Sequence, residues 1–161
     1  MNVTIARCLR GVLLTIALFA ALWVAGAGEA DMEEKLFQEA ILLYETNNFR
    51  QASEVLQQLI ALAPNNSEYY RWLGKSFGRT AQQQGWIMAM RYAIKARRSF
   101  ETAVALDGSN ALAIRDLLEF YVKAPAIIGG GMDKAKPLAK RLLALDPNFS
   151  EEVKELMSKE N

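Results

Sequence analysis

The chain has 161 residues, with 19 basic and 18 acidic side chains and a formal net charge of +1 at pH 7. This length allows one domain or a short array of repeats. The near balance of charge excludes the strong uniform field of a protein that binds nucleic acid nonspecifically. Histidine is absent from the sequence, which removes the commonest metal ligand and the commonest general base at neutral pH.

Residues 1–30 have the pattern of a targeting segment. Arg7 and Arg10 precede an uncharged apolar run over 11–25, and small residues follow at 25–27. The run is shorter than the roughly 20 residues that span a bilayer comfortably, so we expect a cleaved signal peptide and a periplasmic or secreted protein. The alternative is an uncleaved anchor in the inner membrane, facing the periplasm. Cys8 lies in this segment, which leaves the body without disulfides or thiol chemistry.

Beyond residue 30, apolar residues recur at intervals of three and four almost throughout, which is the period of α-helices. Alternation of apolar and polar residues, which is typical of strands, is absent. The segments ALAPNN, ALDGSN and ALDPNF mark three successive stops, because each combines proline or glycine with asparagine. The sequence therefore predicts an all-α body over 31–161.

The helix pairs of about 34 residues that close on proline resemble the tetratricopeptide repeat (TPR) family. The resemblance implies an α-solenoid of three helix hairpins at about 33–66, 67–110 and 111–148, with a capping helix within 149–161 and a hydrophobic leader helix before them. Small residues at close helix contacts and bulky residues between hairpins would form the core. The predicted core residues are Leu36, Ala40, Leu43, Phe49, Ala52 and Leu56; Tyr70, Leu73, Gly74, Phe77, Ala96, Phe100 and Ala103; and Ile114, Leu117, Leu118, Tyr121, Ala135, Ala139 and Leu142.

Two segments depart from the spacing of the TPR family. Ten extra residues between Phe77 and Ala96 predict that both helices of the middle pair are longer, with Gly85 near their turn. Residues 124–131, Ala-Pro-Ala-Ile-Ile-Gly-Gly-Gly, predict a loop, as in a group of exported bacterial repeat proteins that this segment resembles. The segment lacks the strand and the Lys-Ser/Thr pair of a phosphate-binding loop. We expect Ile127 and Ile128 to pack back onto the helices; the alternative is an exposed loop that contacts a partner.

The charge pattern predicts a binding surface. From Tyr69 to Phe100 there is no acidic residue, and three of the seven basic residues there repeat every four positions along one helix. In the TPR family the first helices of the hairpins line a concave groove, so the resemblance implies such a groove here. Because the charge at its centre is basic, we expect the groove to take a peptide or protein segment bearing carboxylates. A solvated helix face is the alternative. The candidate groove residues are Phe37, Ile41, Tyr44, Arg71, Lys75, Arg79, Arg115 and Glu119.

These features favour a non-enzymatic adaptor or scaffold that binds another protein, without cofactor or metal. It would meet a membrane solely through its leader, if that leader is uncleaved. Trp72 and Trp86 are aromatic candidates for a surface role, but base stacking is not expected of an exported protein. One alternative is a membrane-tethered recruiter that retains its leader. Another is a small-ligand binder or an enzyme that uses the enlarged middle unit, although Asp116 and Glu119 have no evident acid–base partner.

Overall fold

A computed structural model of the protein describes residues 31–158, and the predicted leader at 1–30 lies outside the described residues. The chain divides into two compact units between Leu36 and Phe37. In the first unit, the described residues 31–36 are helical, and the Lys35 ammonium lies 2.6 Å from the Asp31 carboxylate one turn away. The core and the candidate site belong to the second unit.

Seven α-helices and no strand occur in residues 31–158, which confirms the all-α prediction for that part of the chain. Short 3₁₀ turns at Ala126–Ile128 and Pro147–Phe149 precede the last two helices. The helices are α1 (residues 31–45), α2 (Phe49–Leu62), α3 (Ser67–Gln82), α4 (Trp86–Leu106), α5 (Ala111–Lys123), α6 (Met132–Leu145) and α7 (Ser150–Ser158).

Successive helices of the second unit pack as hairpins placed side by side. Helix α3 packs on α4, and α5 packs on α6, while α2 contacts α3 and α4 contacts α5. Helix α3 also contacts α5, so the first helices of neighbouring hairpins adjoin each other. Helix α7 contacts both α5 and α6, with Val153 and Leu156 buried, and it covers the end of the array as predicted.

The predicted core residues of the second and third hairpins are buried, with one exception: Tyr69 is buried, and Tyr70 is half-buried. In the first hairpin Leu36 and Leu43 are also half-buried. The small residues stand at close helix contacts, as expected. A Cβ atom on Gly74 would lie 2.5 Å from the Phe100 ring, so glycine is what allows α3 and α4 to approach each other there.

The recurring asparagine segments start helices as well as ending them. The Asn66 side chain accepts a hydrogen bond from the backbone N–H of Glu68 at 3.0 Å, and Asn110 accepts one from Ala113 at 2.9 Å. Each asparagine therefore satisfies an N–H group that the first turn of the following helix leaves unpaired. The repeated pattern in the sequence marks the boundary between hairpins from both sides.

The middle hairpin is longer than its neighbours. Helices α3 and α4 have 16 and 21 residues, against 13 and 14 for α5 and α6, and Gly85 is the N-cap of α4. This confirms that the extra residues lengthen both helices of that pair. None of the helices within residues 31–158 combines the length and hydropathy that crossing a membrane requires.

Candidate ligand groove

A cavity of about 610 Å³ lies between the first helices of the three hairpins. Helices α1, α3 and α5 supply most of its polar wall, and the loop before α6 adds Pro125 and Ile128. Five of the eight residues that the sequence predicted for a groove line this cavity: Tyr44, Lys75, Arg79, Arg115 and Glu119. We call this cavity the groove.

The other three predicted residues lie elsewhere. The Phe37 ring packs against the rings of Tyr69 and Trp72, with centroids 5.0 and 6.5 Å away, and Ile41 is half-buried outside the groove wall. The helix face shared with Lys75 and Arg79 predicts Arg71 as a groove contact, and this prediction is wrong because Arg71 does not line the cavity. Its side chain is 8% exposed and is held by carboxylates inside the protein.

Arg71 belongs to a buried polar network that joins two hairpins. Its Nε and Nη2 atoms donate to both carboxylate oxygens of Glu68, at 2.9 and 2.5 Å, and its Nη1 donates to Asp116 on α5 at 3.1 Å. The Trp72 indole N–H also donates to Glu68, at 2.9 Å. Burial by itself raises the pKa of Glu68, but the hydrogen bonds from Arg71 and Trp72 outweigh it and hold the pKa below its usual 4.5.

The network continues from Asp116 to the capping helix. Arg115 donates to Asp116 at 2.8 Å and to Glu152 on α7 at 2.7 Å. Burial lowers the pKa of Arg115, but its bonds to these two carboxylates dominate and raise it. Since Asp116 is 5% exposed and accepts from two guanidinium groups, its charge is fully engaged. This structural role of Asp116 was not predicted from the sequence, where its spacing from Glu119 suggested only a possible acid–base pair.

Lys75 and Arg79 differ from Arg71, although all three repeat on one helix. Within residues 31–158, neither Lys75 nor Arg79 forms an ion pair with a carboxylate. The Lys75 ammonium lies 3.8 Å from the centroid of the Trp72 ring and 5.1 Å from that of Tyr44, and the Arg79 guanidinium lies 5.0 Å from that of Phe49. Aromatic faces attract these cations without neutralising their charge.

The environment of Lys75 disfavours its charged form. Burial is the main cause, followed by the nearby Arg71 charge, and together they lower the pKa of Lys75 below its usual 10.5. Burial likewise raises the pKa of the Tyr44 hydroxyl, whose ring lies 5.1 Å from the Lys75 ammonium. An anion placed beside Lys75 would favour its charged form and so oppose this shift.

The groove rim at α5 is electrically balanced. Glu119 accepts a hydrogen bond from Lys123 at 2.5 Å and lies 3.7 Å from Arg115. Lys123, together with Phe120, lines the groove but was absent from the predicted site. Lys123 could have been predicted from the sequence, because it follows Glu119 by four residues and such pairs share a helix face.

The loop at 124–131 is shaped by its glycines. Gly129 and Gly131 have φ angles of 95° and 149°, and a Cβ atom on Gly130 would overlap the Ala124 carbonyl. The three glycine N–H groups donate to carbonyls of Ala126, Pro125 and Tyr121, at 2.9 to 3.2 Å. These donors are used internally, which argues against a phosphate cradle and for a structural role.

The expectation for the two isoleucines is half right. Ile128 lines the groove, and its carbonyl accepts a hydrogen bond from Arg97 at 3.1 Å. Ile127 is 78% exposed and does not pack back onto the helices. Consecutive residues of a 3₁₀ turn point about 120° apart, so both side chains could not face the helices together.

Gly78 is a further residue of the groove wall that the sequence analysis did not single out. A Cβ atom there would meet nothing within 4 Å, so the position is open toward the cavity.

In residues 31–158 no three acidic or cysteine side chains are grouped as metal ligands would be. No model of a known protein family matches the chain, and no curated protein matches it.

Proposed function

We propose that this protein is a non-enzymatic interaction module of the TPR type, an adaptor or scaffold that holds a segment of a partner protein in the groove. The observation that carries the proposal is the pair Lys75 and Arg79 on the wall of a cavity, two cations that form no ion pair with a carboxylate among residues 31–158. Charged groups left without a partner at such a site favour a ligand of opposite charge.

The dimensions and lining of the groove support a peptide as the ligand. Its volume of about 610 Å³ accommodates several side chains. Tyr44, Phe120 and Pro125 provide apolar surface, while Lys75 and Arg79 provide charge on one wall. The expected segment therefore combines a carboxylate with apolar neighbours.

The TPR assignment is supported by the hairpin order, by the contact between α3 and α5, and by small residues at the close helix contacts. We also propose export to the periplasm or beyond, from the leader pattern of residues 1–30, with a retained anchor as the alternative. N-terminal sequencing of the mature protein separates the two: a start near Gly28 or Asp31 indicates cleavage, and a start at Met1 or Asn2 indicates an anchor.

Two groove variants test the binding proposal. In the first, Lys75→Glu combined with Arg79→Glu reverses the unpaired charge; in the second, Gly78→Leu fills the cavity and leaves every charge in place. Because charge reversal leaves a ligand carboxylate facing like charge, we expect capture of the partner to weaken about 30-fold or more. The measurement is a crosslinked pull-down from the native envelope, quantified by mass spectrometry.

The matched control is Lys136→Glu combined with Lys140→Glu, which reverses two exposed lysines at the same spacing on α6. This control should capture the partner as the unaltered protein does. Equal capture by all variants, at unchanged helicity, would remove the groove from the proposal. If a broad hydrolase screen detected turnover and Lys75→Met abolished that turnover, an enzymatic role would replace the adaptor role.

A further inference from the structure

The tip of the middle hairpin exposes large apolar side chains. Trp86, Ile87 and Met88 form the first turn of α4 and are 74%, 59% and 40% exposed. The turn before them, residues 82–85, consists of three glutamines and a glycine, so the tip carries no charge. The extra length of α3 and α4 is what builds this tip.

Basic residues flank this tip, and acidic residues are absent from it. Ile87, Arg91, Lys95 and Arg98 are exposed and follow one another at intervals of four, four and three, so they share one face of α4. Within residues 31–158, Arg91, Lys95 and Arg98 form no ion pair, whereas Arg97 is paired with Glu101 at 2.6 Å. No Asp or Glu occurs between Glu68 and Glu101.

We propose that this tip is a docking site for an anionic lipid surface. Three consecutive residues of a helix point about 100° apart, so Trp86, Ile87 and Met88 together cover about 200° of the helix end. A protein groove buries one face of a helix, whereas the interfacial region of a bilayer can surround a helix end and contact all three side chains. Tryptophan is also one of the residues enriched at membrane–water interfaces.

Charge complementarity identifies the lipid class. From Ile87 to Arg98, 12 residues and about 16 Å at 1.5 Å per residue, this face carries three cations that form no ion pair in the described part of the chain. Each lysine or arginine near an anionic membrane contributes about 1 kcal/mol, which is about fivefold in partition. The first turn of α4 has no acidic residue that would repel lipid phosphates. An apolar tip next to a basic face is typical of peripheral binding to anionic bilayers.

A fluorescent label on the tip tests the proposal in the full-length chain. With Cys8→Ser as background, Met88→Cys receives an environment-sensitive dye, and the label is followed as vesicles of phosphatidylglycerol and phosphatidylcholine, or of phosphatidylcholine alone, are added. The label reports on the tip itself, whether or not residues 1–30 also associate with the vesicles. We expect a blue shift with the anionic vesicles, lost at high salt because screening removes the attraction.

The matched control is the same label at Leu62→Cys, an exposed position on α2. The α2–α3 turn lies at the other end of α3 from the tip, about 24 Å away over its 16 residues. The control label should not shift.

A second test combines Arg91→Gln with Arg98→Gln in the tip-labelled protein. Partition into the anionic vesicles should weaken about 25-fold, because each lost charge lowers it about fivefold.

Three results would overturn the proposal. In the first, the tip label stays unchanged with anionic vesicles. In the second, both labels shift alike, which would mean that the protein approaches the bilayer without a preferred surface. In the third, the tip label shifts with an acidic protein from the envelope and not with lipid. The last result would assign the tip to a protein partner.

Discussion

Basic residues that share one helix face can have different roles. Arg71, Lys75 and Arg79 repeat every four residues on α3, yet Arg71 is buried in ion pairs while the other two have none within the described chain. The difference comes from neighbouring helices: Asp116 on α5 reaches Arg71, whereas aromatic rings face Lys75 and Arg79. The charge available to a ligand is therefore set by two side chains, not three.

The lowered pKa of Lys75 makes stability depend on pH in a defined window. Burial and the Arg71 charge make the folded protein release this proton more readily than the unfolded chain does. Between the lowered pKa and 10.5 the unfolded state therefore binds more protons, so the free energy of unfolding should rise with pH in that window. A Lys75→Met variant should lack this rise, as measured by urea denaturation at a series of pH values.

An NMR titration of the Lys75 side chain checks the same prediction directly. We expect its midpoint below 10.5, and a shift upward when a carboxylate-bearing peptide occupies the groove, because the ligand charge favours the ammonium. A midpoint at or above 10.5 in the empty groove would contradict the prediction.

At the scale of the helix pair, two glycines of α3 have opposite surroundings. Gly74 faces the Phe100 ring of α4, at 2.5 Å from where a Cβ would lie, whereas Gly78 faces open space in the groove. Glycine thus serves close packing at one position and cavity volume at the other. The sequence places both glycines in the same predicted helix, but it does not say which of them has a neighbouring side chain.

Alanine substitutions separate these roles. Gly74→Ala should destabilise the protein by about 1 to 3 kcal/mol, because the Phe100 ring must move to admit the methyl group. Gly78→Ala should leave stability unchanged or raise it by up to about 1 kcal/mol, since alanine is the better helix former. Chemical denaturation of both variants measures the difference. Equal destabilisation by the two substitutions would mean that the α3–α4 contact does not depend on glycine.

At the scale of the whole molecule, the polar network joins the second and third hairpins to helix α7. It runs from Glu68 and Arg71 on α3 through Asp116 and Arg115 on α5 to Glu152 on α7. Hairpins that stack in a row contact their neighbours alone, so a network that crosses these contacts couples their stabilities. Asp116 is its central member, because guanidinium groups from two side chains depend on it.

Asp116→Asn should lower the free energy of unfolding by about 3 kcal/mol, because it leaves the buried Arg71 charge without its partner on α5. Glu54→Gln is the control: it removes the exposed pair between Arg50 and Glu54, 3.4 Å apart, and should change stability by less than about 1 kcal/mol. Urea denaturation measures both. A loss for Asp116→Asn no larger than that of the control would show that the network does not couple the hairpins.

The sequence by itself determined the helices, their pairing and most of the core, because apolar spacing, proline and small residues act locally along the chain. It also located the longer middle hairpin and the loop at 124–131. The tertiary structure decided which charges remain unpaired, since Arg71 and Asp116 are 45 positions apart and meet through the contact between α3 and α5. It also decided that Trp86 is exposed, because burial depends on whether a neighbouring hairpin reaches that far.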